Sequence, residues 1–297
     1  MVRVAARERR TVTYRPLAPQ QWRSLHVVLP LTEPIEDNAG NPMQKSRRQR
    51  GRAKRRGSLA RPTVLVTGAS GGIGRAVCLA FGAAGWRVGV HYRTRAREAA
   101  RTAALVRRRG GVALCLHADI RDGKQTQEMV NRFVDRWGRL DVLVCNAGVT
   151  SSELVLRVKA EAWAAVVETN LTGTFHCLQA AGPVMTRQRD GAVIVVGSLA
   201  GLQGAVGQAA YAASKAGLMG LVKTAAQEWG KQNVRVNMAL PGWHKTALSG
   251  SAFPDEVPAD HVLGRTPSLE DVACSIYRLA LLSDSSGQIW NLDSRIL

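Results

Sequence analysis

The segment between residues 67 and 74 reads Thr67-Gly68-Ala69-Ser70-Gly71-Gly72-Ile73-Gly74. It follows a short apolar run and leads into a helical pattern that places apolar side chains on one face. In such a turn from strand to helix, glycines let backbone N–H groups approach a pyrophosphate, and the positive end of the helix dipole favours the negative charge. We therefore predict a dinucleotide-binding loop; the alternative is a glycine-rich turn that binds no ligand.

From Arg61 onward, short apolar runs alternate with amphipathic helical patterns. Seven runs are predicted to be strands: Thr63–Thr67, Arg87–His91, Val112–His117, Asp141–Asn146, Ala192–Gly197, Val234–Leu240 and Gln288–Leu292. Nearly continuous apolar strands are typical of a sheet that is covered on both faces. We predict an α/β fold in which residues 61–297 form one domain, a single Rossmann-type doubly wound parallel sheet of about seven strands with helices on both faces. One helix is predicted to end at Gly138, and the last to begin at Ser268.

The N-terminal segment differs sharply from this pattern in charge. The chain of 297 residues carries a net charge of +19 and has a pI near 10.9. Residues 1–61 hold 15 Lys and Arg against 4 Asp and Glu, and eight of the twelve residues from Lys45 to Arg56 are basic. Because clustered like charges resist compact folding, residues 1–60 are predicted to be a basic, disordered extension. Met43, close to the domain, leaves a later translation start open.

Several protein classes are disfavoured by composition. The sequence has no run of 18 apolar residues for a membrane-spanning helix and no secretory signal. We expect a cytoplasmic protein, or one in an organellar matrix if the Arg-rich segment is a transit peptide. The five cysteines are dispersed and the six histidines lack ligand spacing, so neither disulfides nor a metal site is predicted. Since most of the excess charge lies in the extension, a nucleic-acid partner is not expected.

Further motifs follow the glycine loop in a fixed order. Asn146-Ala147-Gly148 comes after the fourth strand, Asn170 lies in a helix, and Ser198 follows the fifth strand. Tyr211 and Lys215 are then spaced four apart, and Pro241-Gly242 and Thr246 follow the sixth strand. This series resembles the short-chain dehydrogenase/reductase family over about residues 62–293. Within the family, residues 146–154, 163–176 and 211–218 are similar to the 3-oxoacyl-[acyl-carrier-protein] reductases.

Tyr211 and Lys215 share one face of a helix because they are four residues apart. A free tyrosine titrates near pH ~10, and a nearby ammonium is expected to lower that pKa. Our hypothesis is that Tyr211 protonates the alkoxide that forms when a nicotinamide C4 delivers hydride to a carbonyl, while Ser198 donates a hydrogen bond to the same oxygen.

The resemblance implies roles for further residues. Lys215 would also bind the ribose hydroxyls, and Asn170 would order a water that relays protons. The implied catalytic set is Asn170, Ser198, Tyr211 and Lys215. The implied cofactor-binding set is Gly68, Ser70, Gly71, Gly72, Ile73, Gly74, Arg93, Asp119, Ile120, Asn146, Ala147, Gly148, Tyr211, Lys215, Pro241, Gly242, His244 and Thr246. For Asp119, the alternative is a structural role as a cap in the turn that approaches the next helix, where Asp is common.

The end of the second strand bears on the choice between NAD and NADP(H). It reads His91-Tyr92-Arg93-Thr94-Arg95, without a carboxylate before Glu98. An acidic residue here would accept from a ribose 2′-hydroxyl, whereas a cation suits a 2′-phosphate. We predict NADP(H), with Arg93 as the first phosphate contact and Arg95 as the second. The alternative is that both are ordinary surface arginines. Position 71, which is basic in many NADP-using members of the family, is glycine in this sequence.

The predicted function is the NADPH-dependent reduction of a 3-oxoacyl thioester, carried by acyl-carrier protein or coenzyme A, in fatty acid biosynthesis. The resemblance also implies a homo-oligomer, a tetramer or a dimer. One alternative is the same chemistry on a sugar, polyol, steroid or other small carbonyl compound. Another is a non-catalytic dinucleotide sensor or nucleic-acid binder that uses the basic extension.

The sequence departs from the family pattern at three places. His176 and Gln227 stand where carrier-using members present basic residues. The segment from Trp243 to Thr266, which would form the substrate lid, is short. Finally, Asp293-Ser294-Arg295 replaces a Gly-Gly pair after the last strand, in a tail that lies near subunit contacts in the family.

Overall fold

The computed structural model describes residues 61–246 and 260–296. The predicted extension at residues 1–60 and most of the predicted lid lie outside the described residues, and the domain boundary at residue 60 stays a prediction. Within the described part, seven strands form one sheet: β1 (Thr63–Val66), β2 (Arg87–Tyr92), β3 (Val112–His117), β4 (Val142–Cys145), β5 (Gly191–Val196), β6 (Val234–Leu240) and β7 (Ile289–Asn291). The predicted strands are confirmed to within one or two residues.

All seven strands are parallel and lie in the order β3-β2-β1-β4-β5-β6-β7. The chain builds the sheet outward from β1 to β3 and then returns to add β4 on the other side. At this switch point the connections leave β1 and β4 in opposite directions, which opens a crevice at the carboxyl ends of the strands. The glycine loop leaves β1 at that crevice.

Helices cover both faces of the sheet, as predicted. Their bounds are α1 (Gly72–Ala83), α2 (Ala96–Arg108), α3 (Gly123–Trp137), α4 (Ala160–Val167), α5 (Gly173–Gln188), α6 (Ala200–Gln203), α7 (Ala209–Trp229) and α8 (Leu269–Leu281). On β1, Leu65 packs into the core beneath α3, α5 and α7, whereas Val64 and Val66 pack beneath α1, α2 and α8. Alternate side chains of each strand thus serve opposite cores.

Local signals place the helix ends. Helix α3 begins at Asp122, whose carboxylate accepts from the backbone N–H groups of Lys124 and Gln125, and ends at Gly138 with φ +77°. Helix α8 begins at Ser268, whose Oγ accepts from the N–H of Asp271 at 3.0 Å. Both predicted ends are confirmed. None of the described helices combines the length and the apolar character that crossing a membrane requires.

Candidate active site

The glycine loop forms one wall of a cavity of about 310 Å³ at the carboxyl edge of the sheet. Gly68 and Gly72 have φ values of +64° and +53°, a region that favours glycine. A Cβ on Gly74 would lie 2.4 Å from the carbonyl oxygen of Gly68, so only glycine permits this approach of helix to loop. Helix α1 begins with no side-chain cap and no acidic residue in its first turn. Its first N–H groups therefore suit a phosphate ligand.

The loop is clamped to the end of β4. Thr67 Oγ1 accepts from the backbone N–H groups of Asn146 at 2.9 Å and Ala147 at 3.0 Å. In return, the side-chain amide of Asn146 donates to the carbonyl oxygens of Thr67 at 3.0 Å and Gly68 at 3.2 Å. Asn146 thus holds the glycine loop, while Gly148 lines both this cavity and the next one.

His91, at the end of β2, is a residue of the site that the sequence did not single out. Its Nδ1 accepts the backbone N–H of Gly68 at 3.0 Å, and its Nε2 donates to the carbonyl oxygen of Ala118 at 3.0 Å. Since the Gly68 group is a donor, the ring proton belongs on Nε2. Burial lowers the pKa of His91 to about 4, which keeps the imidazole neutral. A polar residue at a buried strand position was the available signal.

Arg93 and Arg95, the predicted phosphate contacts, both line this cavity. Arg93 is 43% exposed, and its Nη1 lies 3.9 Å from Asp119 Oδ2. Arg121, which the sequence did not single out, donates to both oxygens of Asp119 from Nε at 3.0 Å and thereby holds the pKa of that carboxyl below its usual value. Asp119 is therefore ionised and shared between two arginines. The N-cap of the following helix is Asp122, while Asp119 Oδ1 accepts from the backbone N–H of Arg121 at 3.1 Å in the turn that approaches this helix, a contact that the structural alternative for Asp119 expects.

A second cavity, of about 390 Å³, holds the predicted reaction centre and is called the reaction cavity below. Ser198 reaches it from the end of β5, and Tyr211 and Lys215 reach it from α7. The Ser198 hydroxyl lies near enough to the Tyr211 phenol to act on its pKa. Lys215 Nζ donates to the carbonyl oxygen of Val196 at 2.8 Å and lies 5.6 Å from the centroid of the Tyr211 ring.

The pKa values at this centre correct one expectation. Burial raises the pKa of Tyr211, and the neighbouring Ser198 hydroxyl opposes this change. Lys215 was expected to lower that pKa, but its ammonium group is directed at Val196 and burial dominates. Burial also lowers the pKa of Lys215 to about 8. The centre thus holds a protonated phenol beside a buried ammonium group that is more acidic than usual.

Asn170 lies on a π-helical turn, Glu168–Thr172, between α4 and α5. It is fully buried and lines neither cavity. Its Oδ1 accepts from Val149 N at 2.8 Å, and its Nδ2 donates to Val149 O at 2.9 Å and to Ser214 Oγ at 3.0 Å. Ser214 Oγ in turn donates to the carbonyl oxygen of Tyr211 at 2.7 Å. These contacts connect the loop after β4 with the helix that carries Tyr211.

The loop after β6 joins the two cavities. Pro241, Gly242, His244 and Thr246 line the reaction cavity, and Thr246 also lines the first cavity. His244 Nε2 donates to the carbonyl oxygen of Pro241 at 2.7 Å. Ile73, Asn146, Gly148 and Thr246 are common to both linings, so the two cavities adjoin.

The structure brings nearly all the predicted site residues to this crevice. Only Gly74, which supports the loop, and Asn170 line neither cavity. The others form one or both linings: Gly68, Ser70, Gly71, Gly72, Ile73, Arg93, Asp119, Ile120, Asn146, Ala147, Gly148, Ser198, Tyr211, Lys215, Pro241, Gly242, His244 and Thr246. The lining of the reaction cavity includes one further charged residue, Arg295, from the C-terminal tail.

Known proteins resemble this chain along most of its length. The family model described as short chain dehydrogenase matches residues 62–257. A 3-oxoacyl-[acyl-carrier-protein] reductase of Synechocystis sp. is 37% identical over 239 residues, which cover 80% of this chain and 97% of the relative. The reductase FabG of Staphylococcus aureus is 40% identical over 195 residues, covering 66% and 79% of the two chains.

Two solved structures share the fold. One is levodione reductase, with a TM-score of 0.75 and 25% identity, which covers 78% of this chain and 96% of that chain. The other is a putative short-chain alcohol dehydrogenase from Sinorhizobium meliloti, with a TM-score of 0.73 and 32% identity, which covers 80% and 96% of the two chains.

Proposed function

This chain belongs to the short-chain dehydrogenase/reductase family of oxidoreductases, and from that premise we propose that it reduces the ketone of 3-oxoacyl thioesters with NADPH. The observation that carries the proposal is the position of Ser198, Tyr211 and Lys215 in one cavity that adjoins the cavity of the glycine loop. A carbonyl beside the Tyr211 phenol would then lie near the mouth of a dinucleotide site.

The residues of the reaction centre have separate roles in this proposal. Because burial raises the pKa of Tyr211, its phenol keeps the proton that a developing alkoxide needs. Ser198 donates a hydrogen bond to the same oxygen and orients the carbonyl. Lys215, with a pKa of about 8, is still largely charged at neutral pH and attracts the negative charge that develops on this oxygen.

The glycine loop, the start of α1 and Lys215 would hold a nicotinamide dinucleotide. The positive φ of Gly68, the open space beside Gly71 and the uncapped start of α1 fit its pyrophosphate. When bound, the dinucleotide supplies the hydride. Preference for NADPH is supported by Arg93, because the cluster of Arg93, Asp119 and Arg121 retains one net positive charge at the end of β2.

The substrate class is supported by the relatives, two of which are named as 3-oxoacyl-[acyl-carrier-protein] reductases. The carrier is proposed more broadly as acyl-carrier protein or coenzyme A. His176 stands where carrier-using members of the family have a basic residue; it is half-buried, and its Nδ1 lies 2.9 Å from the carbonyl oxygen of Ile120. The same chemistry on a neutral sugar, polyol or steroid is the competing assignment.

The test is the rate of NADPH oxidation with acetoacetyl thioesters of acyl-carrier protein and coenzyme A, beside a panel of sugar, polyol and steroid ketones. We expect turnover of at least one thioester, a higher kcat/KM with NADPH than with NADH, and turnover that is lower by at least about 100-fold in Tyr211→Phe. Turnover of a neutral ketone without any turnover of thioesters would contradict the substrate assignment.

A further inference from the structure

Arg295, on the C-terminal tail, is part of the lining of the reaction cavity. Among the described residues, this lining contains two Lys or Arg residues, Lys215 and Arg295. It contains no described Asp or Glu. Lys215 already donates a hydrogen bond to the carbonyl oxygen of Val196, and the proposed reaction uses it beside Tyr211. Arg295 has no part in that chemistry, so its presence in the cavity needs another explanation.

The guanidinium group of Arg295 is held in a fixed position. Its Nε donates to Asp293 Oδ2 at 2.8 Å, and its Nη2 donates to the same oxygen. The backbone N–H of Arg295 donates to Asp293 Oδ1 at 2.9 Å, and its carbonyl oxygen accepts from Asn291 Nδ2 at 2.6 Å. Nη1 makes no hydrogen bond with any residue in the described ranges, so two N–H donors remain for a ligand.

The neighbours of this ion pair place it beside the reaction. A Cβ on Gly242 would lie 2.7 Å from Asp293 Oδ2, so Asp293 lies directly against the loop that lines the reaction cavity. On its other side, the buried ring of His261 has Nε2 at 3.9 Å from the same oxygen, and the backbones of His261 and Arg295 form a β-bridge. The guanidinium is thus preorganised, which reduces the entropy lost when it binds an anion.

The two members of this ion pair differ in their exposure. The side chain of Asp293 is fully buried, whereas that of Arg295 is 14% exposed. Only Arg295 of the two lines the cavity. Of the two, Arg295 is therefore the one that a ligand in the cavity can reach.

We propose that Arg295 is an anion subsite of the reaction cavity and that the preferred ketone carries a carboxylate. That carboxylate belongs either to a free oxo acid or to the far end of an oxoacyl thioester. The inference rests on the proposed function only in placing the ketone beside Ser198 and Tyr211. A paired, partly buried guanidinium with free donors suits the planar carboxylate, which it can bind through two N–H groups.

The test compares substrates that differ only in charge. One pair is the N-acetylcysteamine thioester of a 3-oxohexanoyl chain and the same thioester with its terminal methyl group replaced by a carboxylate. The other pair is methyl acetoacetate and acetoacetate. We expect kcat/KM to be roughly 10- to 100-fold higher for the anionic member of at least one pair, the ratio that one charged hydrogen bond provides.

Three variants locate that preference. Removing Arg295 alone would leave a buried carboxylate unpaired, so the main variant replaces both partners, D293N together with R295Q. It should lose the preference to within about twofold and keep its activity on the neutral member of the pair. Arg295→Lys should retain part of the preference. Arg139→Gln is the matched control, because Arg139 also pairs with an aspartate two residues away but lies before β4, at the opposite edge of the sheet.

The outcomes separate this inference from the proposed function. Turnover of neutral thioesters with no preference for anions, or a preference that survives in the double variant, overturns the Arg295 subsite and leaves the proposed function standing. Turnover of acetoacetate together with no turnover of any thioester overturns the proposed function and leaves the Arg295 subsite standing. If no ketone is reduced, calorimetry on the NADP-saturated protein with 3-hydroxybutyrate and its methyl ester decides, and equal binding of the two overturns the subsite.

Discussion

His91 and Gly68 are joined by a hydrogen bond in which the backbone N–H of Gly68 donates to the imidazole Nδ1 at 3.0 Å. The other ring nitrogen of His91 donates to Ala118, after β3. One buried side chain therefore ties the ends of β2 and β3 to the glycine loop.

Replacing His91 by Phe removes the acceptor for the Gly68 N–H. We expect a loss of about 1–3 kcal/mol in the free energy of unfolding and a weaker Kd for the dinucleotide, because the buried donor is left without a partner. Urea unfolding and dinucleotide titration measure both. His117→Phe, at an exposed position of β3, is the matched control, and equal effects of the two changes would argue against the role of His91.

The buried imidazole of His91 should also make the stability of the protein depend on pH, and the His91→Phe variant tests this. The pKa of His91 is lowered to about 4, so between pH 6.5 and 4 the unfolded chain binds a proton that the folded chain does not. Stability from this group is present above pH 6.5 and is lost as the pH falls, by about 2 kcal/mol at pH 5. His91→Phe should lack this loss in urea unfolding at pH 7.5 and pH 5; an identical acid dependence in both proteins would contradict it.

Replacing Tyr211 by Phe removes the proposed proton donor and keeps the ring. Turnover should fall by roughly 10²- to 10⁴-fold, the range for general acid catalysis, while dinucleotide affinity stays within about twofold. Steady-state rates and fluorescence titration test the two halves separately. Substantial remaining activity would exclude Tyr211 as the acid.

Replacing Lys215 by Met should abolish activity and stabilise the fold at neutral pH. The pKa of Lys215 is lowered from 10.5 to about 8, so burying the charged form costs up to about 3 kcal/mol. That cost is fully present below pH 8 and disappears as the pH rises towards 10.5, since the folded chain releases the proton first. The stability difference between variant and wild type should shrink over that window. Lys223→Met, exposed on α7, is the control, and a Lys215→Met variant that is less stable than wild type at pH 7 would contradict the prediction.

Replacing Arg93 by Gln tests the choice of dinucleotide. We expect kcat/KM for NADPH to fall roughly 10- to 100-fold through loss of a charged hydrogen bond, with NADH little changed. Arg95→Gln should have a smaller effect of the same kind. Arg101→Gln, 73% exposed and paired with Glu98 on α2, should have none. Unchanged NADPH kinetics in both Arg93 and Arg95 variants would remove the basis for an NADP preference.

Replacing Asn170 by Ala breaks three hydrogen bonds that hold Val149 and Ser214. Because Asn170 positions other groups, kcat should fall while the pH profile keeps its shape. Asn170→Asp retains the acceptor for Val149 N and should recover part of the rate. A shifted pH profile in the Ala variant would instead indicate that Asn170 takes part in proton transfer.

The sequence was sufficient to predict the order of the strands along the chain, the parallel sheet and most of the residues that line the candidate site. These features rest on local signals: apolar runs of strand length, glycines at a strand-to-helix turn, and Tyr211 and Lys215 one helical turn apart. Such patterns are legible because neighbouring residues alone produce them. The cap of α3 was harder, since Asp119 and Asp122 lie in the same turn and only the hydrogen bonds distinguish them.

Only the tertiary structure decided which residues distant in sequence are in contact and how they affect each other's pKa. His91 meets Gly68 across 23 positions, and Arg295 reaches the cavity of Tyr211 only because β7 lies beside β6. Whether the pKa of Tyr211 is raised or lowered depends on how completely the ring is buried and on where the Lys215 ammonium group points. Burial and distance are properties of the packed chain, so the sequence by itself determined which groups form the site, and packing determined their charge states and the additional residues they meet.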